Sequence, residues 1–266
     1  MIRKAALSLF KEDTPGTPYL AKPFLNINFL NEEELPFWLT DEKHIKKCNS
    51  IFNSKIVAYP VYVAQTIHKY KPSAVPQYST AFFFFFFTCA KIPYFSPLTT
   101  QGRTRHLFIF NLLNHLSIVD LPGYGFAKVA KDMRDNWSIL IEEYLNRAVN
   151  LKRALCLIEC TEFFTPHDFV LLDMLITKGV PFQIVVTKVD RLRAPELHKL
   201  MFRVLSVIDD YKRKVKSLNE RTHKEKTYDM RISSYLFNVS SLKNFGVQQL
   251  RAHLGLIATD NMLVKK

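Results

Sequence analysis

Short apolar runs alternate with amphipathic patterns through the second half of the chain, and this alternation limits the fold more than any other feature. Leu116-Ser117-Ile118-Val119, Ala154 to Ile158, Phe182 to Val186 and Leu236 to Val239 have the length of buried strands. Between the first two, Trp137, Leu140, Ile141, Tyr144, Leu145 and Ala148 recur at helical spacing. Thr165-Pro166-His167-Asp168 then opens a second helix, with Thr165 as cap and proline in the first turn. Its apolar face carries Leu171, Leu172, Leu175 and Ile176, and it ends near Gly179. A third helix is expected over 195–216 and a closing one over Val247 to Ile257. Apolar strands interleaved with helices are buried as a parallel sheet covered on both faces. Leu107–Leu112 lies too close to the run His115–Val119 for a helical crossover, so these two read as an antiparallel hairpin. The expected class is α/β: three layers, a mostly parallel sheet with helices on both faces, plus an N-terminal extension.

Ligands of open parallel sheets bind at the carboxyl ends of the strands. Here those ends carry polar motifs. Val119 runs into Asp120-Leu121-Pro122-Gly123-Tyr124-Gly125, Val186 into Thr187-Lys188-Val189-Asp190, and Val239 into Ser240-Ser241. Asp120 suits a hard cation held through water, and Gly123 lets a backbone N–H approach a phosphate because no Cβ intervenes. Thr-Lys-x-Asp suits guanine. The Asp190 carboxylate can accept from both N1–H and the exocyclic amine, a donor pair that adenine lacks. The stem of Lys188 can lie along the purine face, and N–H groups near Ser240-Ser241 can meet guanine O6. Taken singly, each has an ordinary reading as loop acid, surface cation or helix cap. Their joint order on one rim favours the ligand.

The rest of the chain qualifies this picture. A net charge of +13 suits a polyanionic partner, although a basic run such as Lys212 to Lys226 is equally a solvated face. Cys48, Cys89, Cys156 and Cys160 lack zinc-binding spacing and are expected reduced, with Cys156 and Cys160 buried. The longest apolar run, Ala81 to Phe87, is too short to span a membrane. Met1 to Lys11 is basic and amphipathic, as at the start of a mitochondrial targeting segment; a cytoplasmic location is the alternative. Residues 13–40 read as an extended arm. Thr40 or Asp41 then caps a helix bearing Ile45, Cys48 and Phe52, and 54–78 reads as strands and loops. The organisation expected is an extension over 1–65, a main domain over 66–258 and a basic tail over 259–266.

From Thr99 to Ile257 the chain resembles the EngB family of TRAFAC P-loop GTPases, which act in ribosome assembly in bacteria and mitochondria. The resemblance is carried by Gly102-Arg103-Thr104, Asp120 to Val129, Tyr144-Leu145 and Asn150-Leu151-Lys152 in the following helix, Thr187-Lys188-Val189-Asp190, and Val239-Ser240-Ser241. It implies a P-loop NTPase G domain that binds GTP or GDP with Mg²⁺. Thr104 and Asp120 would serve the metal. Gly102, Arg103, Thr104, Arg105 and His106 would form the switch, and Asp120, Leu121, Pro122 and Gly123 the γ-phosphate loop. Thr187 to Asp190 and Val239, Ser240 and Ser241 would read the base. It further implies a monomer that assembles with the large ribosomal subunit or its rRNA. Tyr124 stands where many small GTPases carry a water-positioning glutamine, so unaided turnover is expected to be slow.

One departure is large. Gly-x-x-x-x-Gly-Lys-Ser, the family's phosphate loop, is absent, and no glycine lies between Gly16 and Gly102. The resemblance places that loop between Val75 and Phe86, where Gln77-Tyr78-Ser79-Thr80-Ala81 runs into six phenylalanines, Phe82 to Phe87. Without the loop's N–H nest and lysine, the β- and γ-phosphates lose their main ligands. Two accounts stand: a non-catalytic relative that binds a ribosomal or RNA partner without nucleotide, or a segment foreign to the natural protein. Translation of a pyrimidine tract ahead of a splice acceptor yields such a Phe block. Reading the transcript across codons 70–100 separates the two, and a continuous read through the Phe codons sinks the second.

Overall fold

The structure is a computed structural model and describes residues 20–21, 41–53, 62–80, 106–112, 115–121, 131–222 and 236–264. In chain order the strands and α-helices are β1 (Leu20–Ala21), α1 (Glu42–Asn53), β2 (Tyr62–Ala64), β3 (Gln77–Thr80), β4 (Leu107–Leu112), β5 (Leu116–Asp120), α2 (Lys131–Arg147), β6 (Leu151–Glu159), α3 (Pro166–Lys178), β7 (Phe182–Thr187), α4 (Ala194–Thr222), β8 (Leu236–Asn238) and α5 (Val247–Val264). Among the described residues the strands form one sheet, ordered β1-β8-β7-β6-β3-β5-β4-β2. Pairings β5–β3, β3–β6, β6–β7 and β7–β8 are parallel, while β4–β5, β2–β4 and β1–β8 are antiparallel. The fold is therefore mixed α/β with a mostly parallel open sheet, as the alternation of runs requires.

The period of two along each strand splits the apolar side chains between two cores. Val119, Ala154, Cys156, Ile158, Phe182, Ile184 and Val186 pack with α2, α3 and α4 on one face. Ile118, Leu155, Leu157, Val185 and Phe237 pack with Ile51 and Phe52 of α1 and Leu250, Ala252 and Leu254 of α5 on the other. Strands buried on both sides cannot alternate apolar and polar residues, which is why their sequences read as unbroken apolar runs.

Caps fix the helix ends that the sequence marks. Thr165 Oγ1 accepts from the Asp168 N–H, the Asp168 carboxylate accepts from the Thr165 N–H at 2.7 Å, and Gly179 closes α3 in the left-handed conformation at φ 71°. Asp41 Oδ1 accepts from the Lys43 N–H at 2.9 Å at the start of α1.

Several boundaries differ from the sequence reading. Leu151 and Lys152 belong to β6, not to the preceding helix, because β6 begins beside Gln77 of β3. Helix α4 continues through the basic stretch to Thr222, and α5 runs past 259 to Val264. The described parts of the N-terminal extension pack onto the main domain. Leu20 and Ala21 pair with Phe237 and Leu236, Tyr62 to Ala64 pair with Ile109 to Leu107, and α1 lies against α5. The central strand β3 reads as polar, yet Gln77, Tyr78, Ser79 and Thr80 are all buried. Its neighbours on both sides, not its own hydrophobicity, make it a strand. The Phe block and the region expected to hold the phosphate loop lie outside the described residues beyond Thr80.

Candidate functional site

One rim of the sheet collects the strand ends. Register pairs Thr80 with Asp120, Glu159 with Thr187, and Val186 with Asn238. The carboxyl ends of β5, β3, β6, β7 and β8 thus lie side by side. Because β3 connects onward to β4 and β5 on one side while β6, β7 and β8 continue on the other, the strand order reverses about β3. That reversal opens the crevice in which ligands of such sheets sit.

The phosphate side is partly described. Asp120 is buried at the end of β5, and the Leu121 N–H donates to the Thr80 carbonyl at 2.7 Å, carrying the chain onward beside β3. His106 immediately precedes β4, whose Phe108 pairs with Asp120, so His106 reaches the same rim. Gly102, Arg103, Thr104, Arg105, Pro122 and Gly123 lie outside the described residues. Among the described residues no group of three or more His, Cys, Asp or Glu side chains gathers as a metal cage. A hard divalent cation at this rim would take an Asp120 oxygen, fitting the oxygen-only chemistry of Mg²⁺, with phosphates and waters as its other ligands.

The other side is built in full. Thr187 ends β7 buried, its hydroxyl donating to the Ile158 carbonyl at 3.2 Å. Lys188 takes the left-handed conformation at φ 57°, which is rare for a residue with a Cβ, and starts the short 3-10 turn Val189–Arg191. That strain is offset by contacts around the turn. The Lys188 carbonyl accepts from the Arg191 N–H at 3.0 Å and from the Cys160 thiol at 3.0 Å, and the Cys160 N–H donates to the Thr187 carbonyl at 3.1 Å. Burial, reinforced by the Glu159 charge, pushes the Cys160 thiol pKa up, so it remains a protonated donor.

Two separate loops then converge. The Val189 N–H donates to the Val239 carbonyl at 3.3 Å, and the Val239 N–H donates to the Val186 carbonyl at 2.8 Å. Ser240 and Phe245 exchange both backbone hydrogen bonds, at 3.0 and 2.9 Å. The loop between them turns through Asn244 at φ 52° and leaves through Gly246 at φ 68°. A Cβ on Gly246 would lie 2.0 Å from the Asn238 carbonyl oxygen, so glycine is required there. Ser240 Oγ donates to Asp190 Oδ1 and accepts from the Lys243 N–H at 3.1 Å. A carboxylate offers about four lone-pair positions, and Ser240 takes one, so Asp190 is aimed while keeping acceptor capacity. Ser241 follows at the rim, half-buried.

Thr187, Lys188, Val189 and Asp190 therefore meet Val239, Ser240 and Ser241 across the end of β7, as their motifs suggest. Chemically the arrangement offers an oriented carboxylate and a cation on a fixed backbone. Glu159 was missed by the sequence reading. It ends β6, its carboxylate accepts from Lys188 Nζ, and its Oε1 accepts from Arg191 Nη1 at 2.6 Å and from the Thr161 hydroxyl at 3.3 Å. The signal was available, since an acid directly after an apolar strand is what singled out Asp120.

No family model matches the chain. Among curated proteins it is similar to the probable GTP-binding protein EngB of Caldanaerobacter subterraneus subsp. tengcongensis, 41% identical over 101 residues that make up 38% of this chain and 52% of that protein. The protein of the same name from Granulibacter bethesdensis is 39% identical over 98 residues, 37% of this chain and 44% of its own length. That from Rickettsia bellii is 44% identical over 92 residues, 35% and 43% of the two chains. The chain spans about half the length of the curated relatives it matches. Among solved structures, a probable GTP-binding protein engB aligns at 14% identity over 70% of this chain and 100% of its own, with a TM-score of 0.45. The apo elongation factor SelB of Methanococcus maripaludis aligns at 16% identity over 71% of this chain and 34% of its own, with a TM-score of 0.44.

Proposed function

We propose that this chain, kin to the EngB GTP-binding proteins over 101 residues, binds guanine nucleotide at the carboxyl rim of its sheet. The observation that carries the reading is the Ser240–Asp190 hydrogen bond, which joins two loops remote in sequence and aims the one carboxylate suited to guanine. Asp190 reads N1–H and the exocyclic amine, the Lys188 stem lies along the ring, and the backbone around Ser240 and Ser241 meets O6. Asp120 and Thr104 would hold Mg²⁺ beside the phosphates. The cation would supply charge neutralisation at the γ-phosphate.

GTP hydrolysis in assembly of the large ribosomal subunit, in the mitochondrion, is the wider reading. The relatives' names support GTP binding within it, and the +13 charge suits an RNA-rich partner. The second reading, a partner-binding protein that works without nucleotide, is favoured by the lack of any glycine from 17 to 101.

Titration with a fluorescent GDP analogue separates them. Saturable binding at micromolar protein, competed by GDP and not by ADP, is expected; no binding favours the second reading. Asp190→Asn gives the sharper result. The amide offers one acceptor and one donor, which mismatches guanine and matches the 2-oxo group of xanthine. GDP should weaken roughly 10- to 100-fold, the value of one charged hydrogen bond. Xanthosine diphosphate should bind the variant better than it binds the parent. Unchanged GDP affinity would remove Asp190 from the site.

A further inference from the structure

We propose that Glu159 positions the base-reading loop: its carboxylate tethers Lys188 and Arg191 together and so fixes the Lys188 stem that faces the purine. The proposal rests on the guanine reading of the rim for its consequence, but its geometry does not.

The loop from Thr187 to Leu192 has few anchors of its own. It leaves β7 through a left-handed residue, and beyond Thr187 only Val189 within it is buried. Lys188 and Arg191 are about half exposed, at 49% and 54% of their side chains, whereas Glu159 is 23% exposed. A long cationic side chain at such exposure has about 2 kcal/mol of rotamer entropy and no reason to hold one direction. Both are nevertheless brought to the same carboxylate, one to each oxygen. Glu159 is itself held from behind. It is the last residue of β6, in register with Thr187, and its carbonyl accepts from the Glu162 and Phe163 N–H groups, each at 3.1 Å. The next residue, Cys160, grips the same loop by its N–H and thiol. The end of β6 thus clamps the backbone of the loop through Cys160 and its two cations through Glu159.

Placement gives this clamp its meaning. In the sheet β6 lies between β3, which leads to the phosphate side, and β7, which leads to the base side. With Lys188 Nζ held by Glu159, its methylene stem runs from the end of β7 to the end of β6. A purine bonded to Asp190 would lie against that stem. Free of Glu159, the stem would sample many directions and the platform would be lost. Asp190 would keep its orientation through Ser240. Glu159 therefore acts through Lys188, without touching the base.

Removing the carboxylate also uncovers two positive charges beside the phosphate side, which on its own would favour anions. Tethering and charge thus predict opposite results for ligands with and without phosphate. The test uses the full chain as Glu159→Gln, isosteric and uncharged, and Glu159→Asp, which keeps the charge on a shorter arm. Its first measurement needs no nucleotide. Lysines are acylated under limiting conditions and the sites quantified by mass spectrometry. Acylation of Lys188 should rise severalfold in Glu159→Gln, less in Glu159→Asp, with Lys46 and Lys199 unchanged as internal controls for folding. No rise at Lys188 overturns the tether whatever the chain binds.

The second measurement is displacement of a fluorescent GDP analogue by guanosine and by GDP. Guanosine should bind Glu159→Gln roughly twofold to fivefold more weakly, the scale of one partly screened ion pair. That loss should vanish when Lys188→Met is also present. Guanosine binding unchanged while GDP tightens would show that Glu159 acts by charge alone and would overturn the positioning role. A parent chain that binds neither ligand refutes the guanine reading. The labelling result then still decides whether Glu159 holds the loop.

Discussion

Buried His253 and half-buried Arg153 form a pair that shows what a single polar contact can do in this core. Arg153 Nη1 donates to His253 Nε2 at 3.0 Å, so that ring nitrogen is an acceptor and carries no proton. Burial first, and the Arg153 charge second, lower the His253 pKa from 6.5 to about 3. Between those values the unfolded chain binds a proton at this histidine that the folded chain refuses, so stability falls as pH drops below 6.5. The loss should reach roughly 2 kcal/mol by pH 5. Urea unfolding at pH 7 and pH 5 measures it, and His253→Gln should flatten that difference even if the variant is less stable at both values. That Asp190 and Ser240 lie just beyond two strand ends is legible in the sequence, because each follows its own apolar run. The Arg153–His253 pair is not, because a half-buried arginine meets its acceptor on a helix far along the chain. Glu159 escapes notice for a related reason: its partners sit on the neighbouring strand's loop, and only the register of β6 on β7 brings them together.

Helices α1 and α5 illustrate how close packing is set at the scale of elements. A Cβ on Gly255 would lie 2.3 Å from Cys48 Sγ and 2.6 Å from its Cβ, so the helices touch where one has no side chain. The Cys48 thiol points to the Ala252 carbonyl and is fully buried, and burial raises its pKa to about 11. Gly255→Ala must push the helices apart, at a cost of about 1 to 3 kcal/mol. Thermal melts should show the drop. Thiol labelling with site mapping should find Cys48 reactive in the variant and protected in the parent; a variant that melts normally with Cys48 protected contradicts the close approach. Elements of this kind were legible in proportion to how locally they are specified. Helix α3 carries its own cap, proline and terminal glycine, and the apolar runs of β5, β6 and β7 announce themselves. Strand β3 does not, since Gln77, Ser79 and Thr80 are polar and only the flanking strands make that segment extended and buried. The end of α4 was read short because its final turns lose the apolar stripe while the helix continues.

The whole molecule is a sheet with a core on each face, and its N-terminal segment is sewn into that sheet at both margins. Leu20–Ala21 pairs with β8 and Tyr62–Ala64 with β4. Deleting residues 1–22 uncovers the outer edge of β8, whose free N–H and C=O groups can pair with another copy. Self-association that grows with concentration is expected in light scattering of the truncated chain, with the parent unchanged. A truncated chain that stays monodisperse would show that β1 is dispensable as an edge cover. At the opposite extreme of the sheet, its centre, β3 is only four residues long, and its partners lie at 117–120 on one side and 151–155 on the other. Those parallel pairings each close a long loop before they return any favourable contact, which makes them slow to form. The strand that joins the two halves of the sheet thus forms only through long-range parallel pairings, so the assembly of Gln77 to Thr80 prolongs the time the newly made chain spends exposed to aggregation.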